Sequence, residues 1–294
     1  MEPSDLREEL RQKFSEICEE NGAPLPPELA HYTSPSGFNG IITSRHLWCT
    51  DICDVRGDPE EGDYGMEIVK SVVRRKPVPV GFRQKVGSAK HLFGLKDIVR
   101  SYVSCFYSGP EQPCMWKEYA VGGTGCAVVF DYKELLAGAQ EGRRYALIPM
   151  LYDCEAQVFR VERIVDHAIE LQRIRSLSSS EADKFWIEEV AFSLFNCGMM
   201  FKKSKYFRER ESRIVVFDPD NVNVSADAQG RSHVPIPFER TAVVRVVRGP
   251  QNSLQPECLR EILRQAGYLE NLPIVNTECR FENGSGCPVS SLPS

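Results

Sequence analysis

The chain has 294 residues, with 36 Lys+Arg against 41 Asp+Glu, a formal net charge of −5, and 42% hydrophobic and 10% aromatic residues. That length admits one large domain or two small ones, and that composition excludes collagen-like, disordered and coiled-coil chains. The acidic balance excludes a global basic field for nucleic acid and leaves only a local basic groove open.

No apolar run approaches the roughly 18 residues that a membrane-spanning helix needs, so no membrane contact is expected. The N-terminal stretch is charged and lacks the apolar core of a secretory signal, which gives the expectation of a cytoplasmic protein. The 11 cysteines are scattered without a C-x-x-C pair and read as reduced, buried thiols. The histidines form no H-E-x-x-H, and no metal is expected.

In chain order, the spacing predicts an amphipathic helix over 4–21, capped by Ser4 and striped by Leu6, Leu10, Phe14, Ile17 and Cys18. A strand at His31–Thr33, a turn, a helix at about 37–44 and a strand near 46–50 follow. Residues 55–63 read as a turn-rich loop, 66–77 as a helix, and 78–93 as basic and irregular. Strands are expected at 102–108, 125–131, 145–152, 210–217, 243–250 and 274–278, with a helical turn at 114–120. Residues 155–201 read as mostly helical with a break at 176–180, and 254–268 as a further helix. Without strict alternation or repeats, the pattern indicates an α+β chain.

Three segments carry chemical potential. Strand alternation turns His31 and Thr33 to one face, where an imidazole and a hydroxyl suit a ribose or phosphate. Ser104-Cys105-Phe106 is followed by Trp116 and Tyr119, whose aromatic rings suit a stacking wall or, equally, a core. In Glu209-Arg210-Glu211-Ser212-Arg213, alternation puts Glu209, Glu211 and Arg213 on one face and Ile214 and Val216 on the other. A carboxylate beside an arginine there stays ionised, and it suits a sugar hydroxyl and a developing oxocarbenium charge. The basic run Lys202, Lys203, Lys205, Arg208 and Arg210 suits phosphates or a solvated face. No phosphate-binding glycine motif, nucleophile elbow or EF-hand spacing is present.

The ordered set of motifs resembles the mostly bacterial family called domain of unknown function 2971. His31-Tyr32-Thr33-Ser34 and Ser44-Arg45-His46-Leu47-Trp48 match its opening, and Gly57-Asp58-Pro59-Glu60-Glu61 matches its N-D-P-x-E loop with Gly57 replacing Asn. Ser104-Cys105-Phe106, Trp116, Tyr119 and Gly125–Asp131 match its middle, and the E-x-E-x-R strand carries Ser212 where Trp is usual. Val243–Pro250 and the helix and strand beyond it match its close, so the resemblance covers about 28–280.

More distantly, the order is similar to ADP-ribosyltransferases. That resemblance implies NAD as substrate, no metal, and a single α+β domain around a central mixed or antiparallel sheet. The domain would span 28–280 with a helical insert at about 155–201, after an N-terminal helix and linker at 1–27 and before a flexible tail at 281–294. It implies that His31, with Tyr32, Thr33 and Ser34, holds the adenosine-side ribose, and that Ser104, Phe106, Trp116 and Tyr119 pack the nicotinamide. Tyr107 or Tyr119 stands in for the second-strand tyrosine. Glu211 would engage the 2′-hydroxyl of the nicotinamide ribose as the glycosidic bond breaks, and Glu209 would orient the acceptor. Arg45 or Arg213 would meet the pyrophosphate or the Glu pair. The acceptor stays open between water, nucleic acid and protein, and a bacterial defence setting with a restraining partner protein goes with the family. Two other classes stay open: a non-catalytic nucleotide- or nucleic-acid-binding module, and a hydrolase holding a divalent ion on Asp58, Glu60, Glu61 and Asp63.

Overall fold

The computed structural model describes residues 3–20, 26–51, 61–88, 101–108, 111, 113–137, 144–217, 224–227 and 230–279. Its backbone divides into two units, one of 1–24, 53–100 and 149–207, the other of 25–52, 101–148 and 208–294. The helical stretch at 155–201 falls in the first of these units. It joins the N-terminal helix and the 53–100 stretch in a unit of its own.

That first unit is helical. Helix α1 (Pro3–Glu20), α3 (Glu61–Arg75), α4 (Val80–Ser88), α7 (Cys154–Ile174), α8 (Ser179–Phe185) and α9 (Ala191–Gly198) bury Leu10, Ile17, Val72, Phe82, Val165 and Leu194. Helix α4 replaces the irregular stretch that the sequence predicts, because Phe82 and Val86, four apart, both find burial, with Phe82 against Trp186 at 5.0 Å. Asp153 caps α7 through Ala156 N at 2.7 Å, and Ser178 and Glu181 form a capping box on α8. The basic run does not form one solvated face: Lys202 is buried, and Lys202 and Lys205 both lie over the Tyr206 ring.

The second unit is built on a sheet. Its strands are β1 (Glu28–Thr33), β2 (His46–Asp51), β3 (Ser101–Tyr107), β4 (Cys126–Asp131), β5 (Arg144–Pro149), β6 (Glu211–Phe217), β7 (Ser225–Ala226), β8 (Ser232–Pro237), β9 (Val243–Arg248) and β10 (Ile274–Asn276). They run β10-β9-β4-β1-β3-β2-β8-β7, with β6 beside β3 and β5 beside β6. The pair β9–β10 is parallel, while β1, β2, β3, β4 and β6 pair antiparallel. Helices α2 (Pro35–Ser44), α5 (Pro113–Tyr119), α6 (Tyr132–Ala137) and α10 (Pro256–Gln265) complete the unit.

The sheet's two faces carry different cores. On one, Leu29, Phe106, Val128, Phe130 and Ile214 pack with Phe38 and Ile42 of α2 and Leu259 and Leu263 of α10. On the other, Tyr32, Tyr107, Ala127, Val129 and Val247 pack with Met115 and Trp116 of α5. Strands β7 and β8 add to those that the sequence predicts. The prolines of S-H-V-P-I-P mask a strand that β2 pairs from His46↔Pro237 to Thr50↔His233. The 281–294 tail and residues 57–60 of the acidic loop lie outside the described residues.

Candidate functional site

The three motif-bearing strands β1, β3 and β6 are neighbours in the sheet. Strand β6 pairs with β3 along its whole length, from Ser101↔Phe217 to Tyr107↔Glu211. The opposite edge of β3 is shared. β1 meets it at Ala30↔Tyr107, and β2 meets it at Val103 and Tyr102. Between those points, across Ser104, Cys105 and Phe106, β1 has parted from β3 to follow β4.

His31 sits at that parting. Its Nδ1 lies 3.0 Å from the Cys105 carbonyl oxygen, and its ring lies 5.6 Å from that of Phe106. A carbonyl only accepts, so Nδ1 carries the hydrogen and donates. Burial lowers the His31 pKa, and the ring is therefore neutral, leaving Nε2 as an acceptor. Ser104, on the same face by alternation, is buried with a hydroxyl that has no partner among the described residues.

The pleat separates the remaining candidates. Tyr107 faces Glu211 and Cys105 faces Arg213, so Glu211 and Arg213 share the face of Tyr107 and Tyr32. His31 and Phe106 belong to the opposite face. Glu211 and Arg213 are both buried, and Arg213 Nε donates to Glu211 Oε1 at 2.5 Å. Glu209 is not on the strand. It closes a 3-10 helix over Ser204–Glu209, and Arg210, with φ 44°, breaks the alternation before β6 begins.

The expected aromatic wall is dispersed as well. Trp116 is fully buried, edge-on to Tyr32 at 4.8 Å, and its Nε1 donates to Glu111 Oε2 at 3.3 Å. It is core and presents no free face for a nicotinamide ring. Tyr119, three residues on, is exposed. Burial pushes the Tyr32 and Tyr107 phenols well above the usual range.

Thr33 ends β1, and Ser34 follows it as a cap. Ser34 Oγ accepts from Gly37 N at 2.9 Å and caps α2. A Cβ on Gly125 would stand 1.9 Å from the Thr33 carbonyl oxygen, so only glycine admits this approach of strand and loop. Arg45 ends α2 in a left-handed conformation, φ 56°.

With this geometry in place, the comparisons divide the motif order. Residues 115–214 match the family model described as Protein of unknown function (DUF2971). The match contains Trp116, Tyr119, Glu209, Glu211 and Arg213, while His31, Arg45, Ser104 and Phe106 lie before it. No curated protein and no solved structure matches the chain. Sequence reasoning missed the Cys105 carbonyl as the partner of His31 and the opposition of Tyr107 to Glu211. Both depend on strand register, which a strand's own composition does not reveal.

Proposed function

We propose that this chain is a nucleotide-binding protein that holds a dinucleotide of the NAD class where β1 parts from β3. The observation that carries the reading is the His31–Cys105 contact at that parting. It fixes a neutral imidazole whose Nε2 accepts a hydrogen bond from a ribose hydroxyl. The buried Ser104 hydroxyl on the same face supplies a second polar group.

A second reading, cleavage of the nicotinamide–ribose bond toward water or a macromolecular acceptor, is favoured by Glu211, one strand from the strand that His31 contacts. It loses ground because His31 and Glu211 lie on opposite faces and Glu211 is engaged by Arg213. Binding without cleavage asks for neither a shared face nor a free carboxylate.

Titration calorimetry with NAD and release of nicotinamide, on wild type, His31→Ala and Glu211→Gln of verified fold, test both readings. Binding that His31→Ala abolishes, without nicotinamide release, is the expected result. Release by wild type that Glu211→Gln removes would move the protein to the enzymatic reading. No NAD binding by folded wild type would sink both.

A further inference from the structure

A second cluster lies where α2 ends, within the sheet-bearing unit. The Arg45 side chain is part-exposed and makes a long ion pair, Nη1 to Glu239 Oε2 at 4.0 Å. Surface pairs of that kind hold a guanidinium weakly. The residue after Glu239, Arg240, donates Nε to the Ala266 carbonyl at 2.8 Å. This lays its guanidinium over Gly267, where a Cβ would fall 3.2 Å from Cζ and Nη2.

The next residue is Tyr268, only 6% exposed, whose Oη is buried with no partner among the described residues. Burial raises its pKa to about 12, while the positive charges of Arg240 and Arg45 work against that rise. An unpartnered buried hydroxyl is unfavourable; the Arg240 guanidinium lies over the residue before it, the Arg45 charge also reaches it, and Glu239 meets Arg45 only at 4.0 Å, which leaves donors and positive charge in surplus.

We infer that Arg45, Arg240 and the Tyr268 hydroxyl form a site for a phosphate dianion, free or carried as a phosphomonoester. Guanidinium forks match phosphate oxygens, a dianion neutralises both arginines, and the phenol supplies a third donor. Glu239 is the competing anion. The site is independent of the β1–β3 parting and of the reading built on it.

Calorimetric titration of the full chain with inorganic phosphate and with ribose 5-phosphate, at matched chloride, tests the site. Saturable binding is expected, weakened about tenfold or more by Tyr268→Phe and by Arg240→Gln, the loss that a removed hydrogen bond to a charged group brings. Glu239→Gln should tighten it, a gain that a misfolded variant does not produce. Tighter binding of ribose 5-phosphate identifies a phosphomonoester, and equal or weaker binding identifies free phosphate. His31→Ala should leave this affinity unchanged, which separates the site from the dinucleotide reading. No saturable binding of either probe, or the same affinity in wild type, Tyr268→Phe and Arg240→Gln, overturns it.

Discussion

The imidazole of His31 replaces a strand-to-strand contact: its Nδ1 reaches the Cys105 carbonyl at 3.0 Å, where β1 no longer pairs with β3. Because burial lowers the His31 pKa below its ordinary 6.5, folding favours the neutral ring. The unfolded chain then binds the proton at higher pH than the folded one. The stabilisation is complete above about pH 6.5 and is lost as pH falls through the folded value. Thermal melts should show wild type losing more stability on acidification than His31→Gln does. His167 in the helical unit carries the same sign, so the difference between the two proteins, and not the slope of either, is the readout. Parallel slopes would remove His31 as a group that the fold holds neutral.

Glu211 and Arg213 form a buried ion pair two residues apart on β6. Breaking such a pair from one side leaves an uncompensated charge and costs about 3–5 kcal/mol, whereas replacing both partners with apolar side chains often costs far less. Arg213→Met should therefore destabilise more than the double variant Glu211→Leu/Arg213→Met in urea unfolding. A single variant within about 0.5 kcal/mol of wild type would mean the pair is not buried as described.

Much of the strand content was legible, because Cys126–Asp131 is a nearly continuous apolar run that fits the inside of a sheet and Val243–Arg248 is rich in β-branched valine. The helical turn at α5 and the Glu-rich entry to β6 were also readable, but their partners were not. Which face Glu211 shares with which tyrosine depends on the β3–β6 register, set by pairing between residues about a hundred positions apart. Glu209 was misplaced because Arg210 adopts a positive φ, which nothing in a charged run announces. Strand β8 was missed because its two prolines argue against a strand that sits near the sheet's end.

Two glycines with opposite roles test the packing around the end of β1. Gly125 abuts the Thr33 carbonyl so closely that Gly125→Ala must displace backbone, costing about 3 kcal/mol or more. Gly40 lies inside α2, and a Cβ added there would meet nothing within 4 Å, so Gly40→Ala should stabilise by about 0.5–1 kcal/mol. Chemical denaturation of the two variants should move in opposite directions. Loss of stability in Gly40→Ala, or none in Gly125→Ala, contradicts this local geometry.

The tryptophans divide by environment in a way that fluorescence reads directly. Trp116 and Trp186 are fully buried, while Trp48 is 53% exposed and rests 4.9 Å from the ring of His233. His233 is itself fixed between Thr50 Oγ1 and Asp227 Oδ2, each at 3.1 Å, so it gives Trp48 a rigid support. Trp116→Ala removes a core side chain and should cost about 3–5 kcal/mol, whereas Trp48→Ala should stay within about 1 kcal/mol of wild type. Acrylamide should quench a fraction of the emission that vanishes in Trp48→Phe. Quenching that persists in that variant would place Trp116 or Trp186 in contact with solvent and contradict the full burial of both.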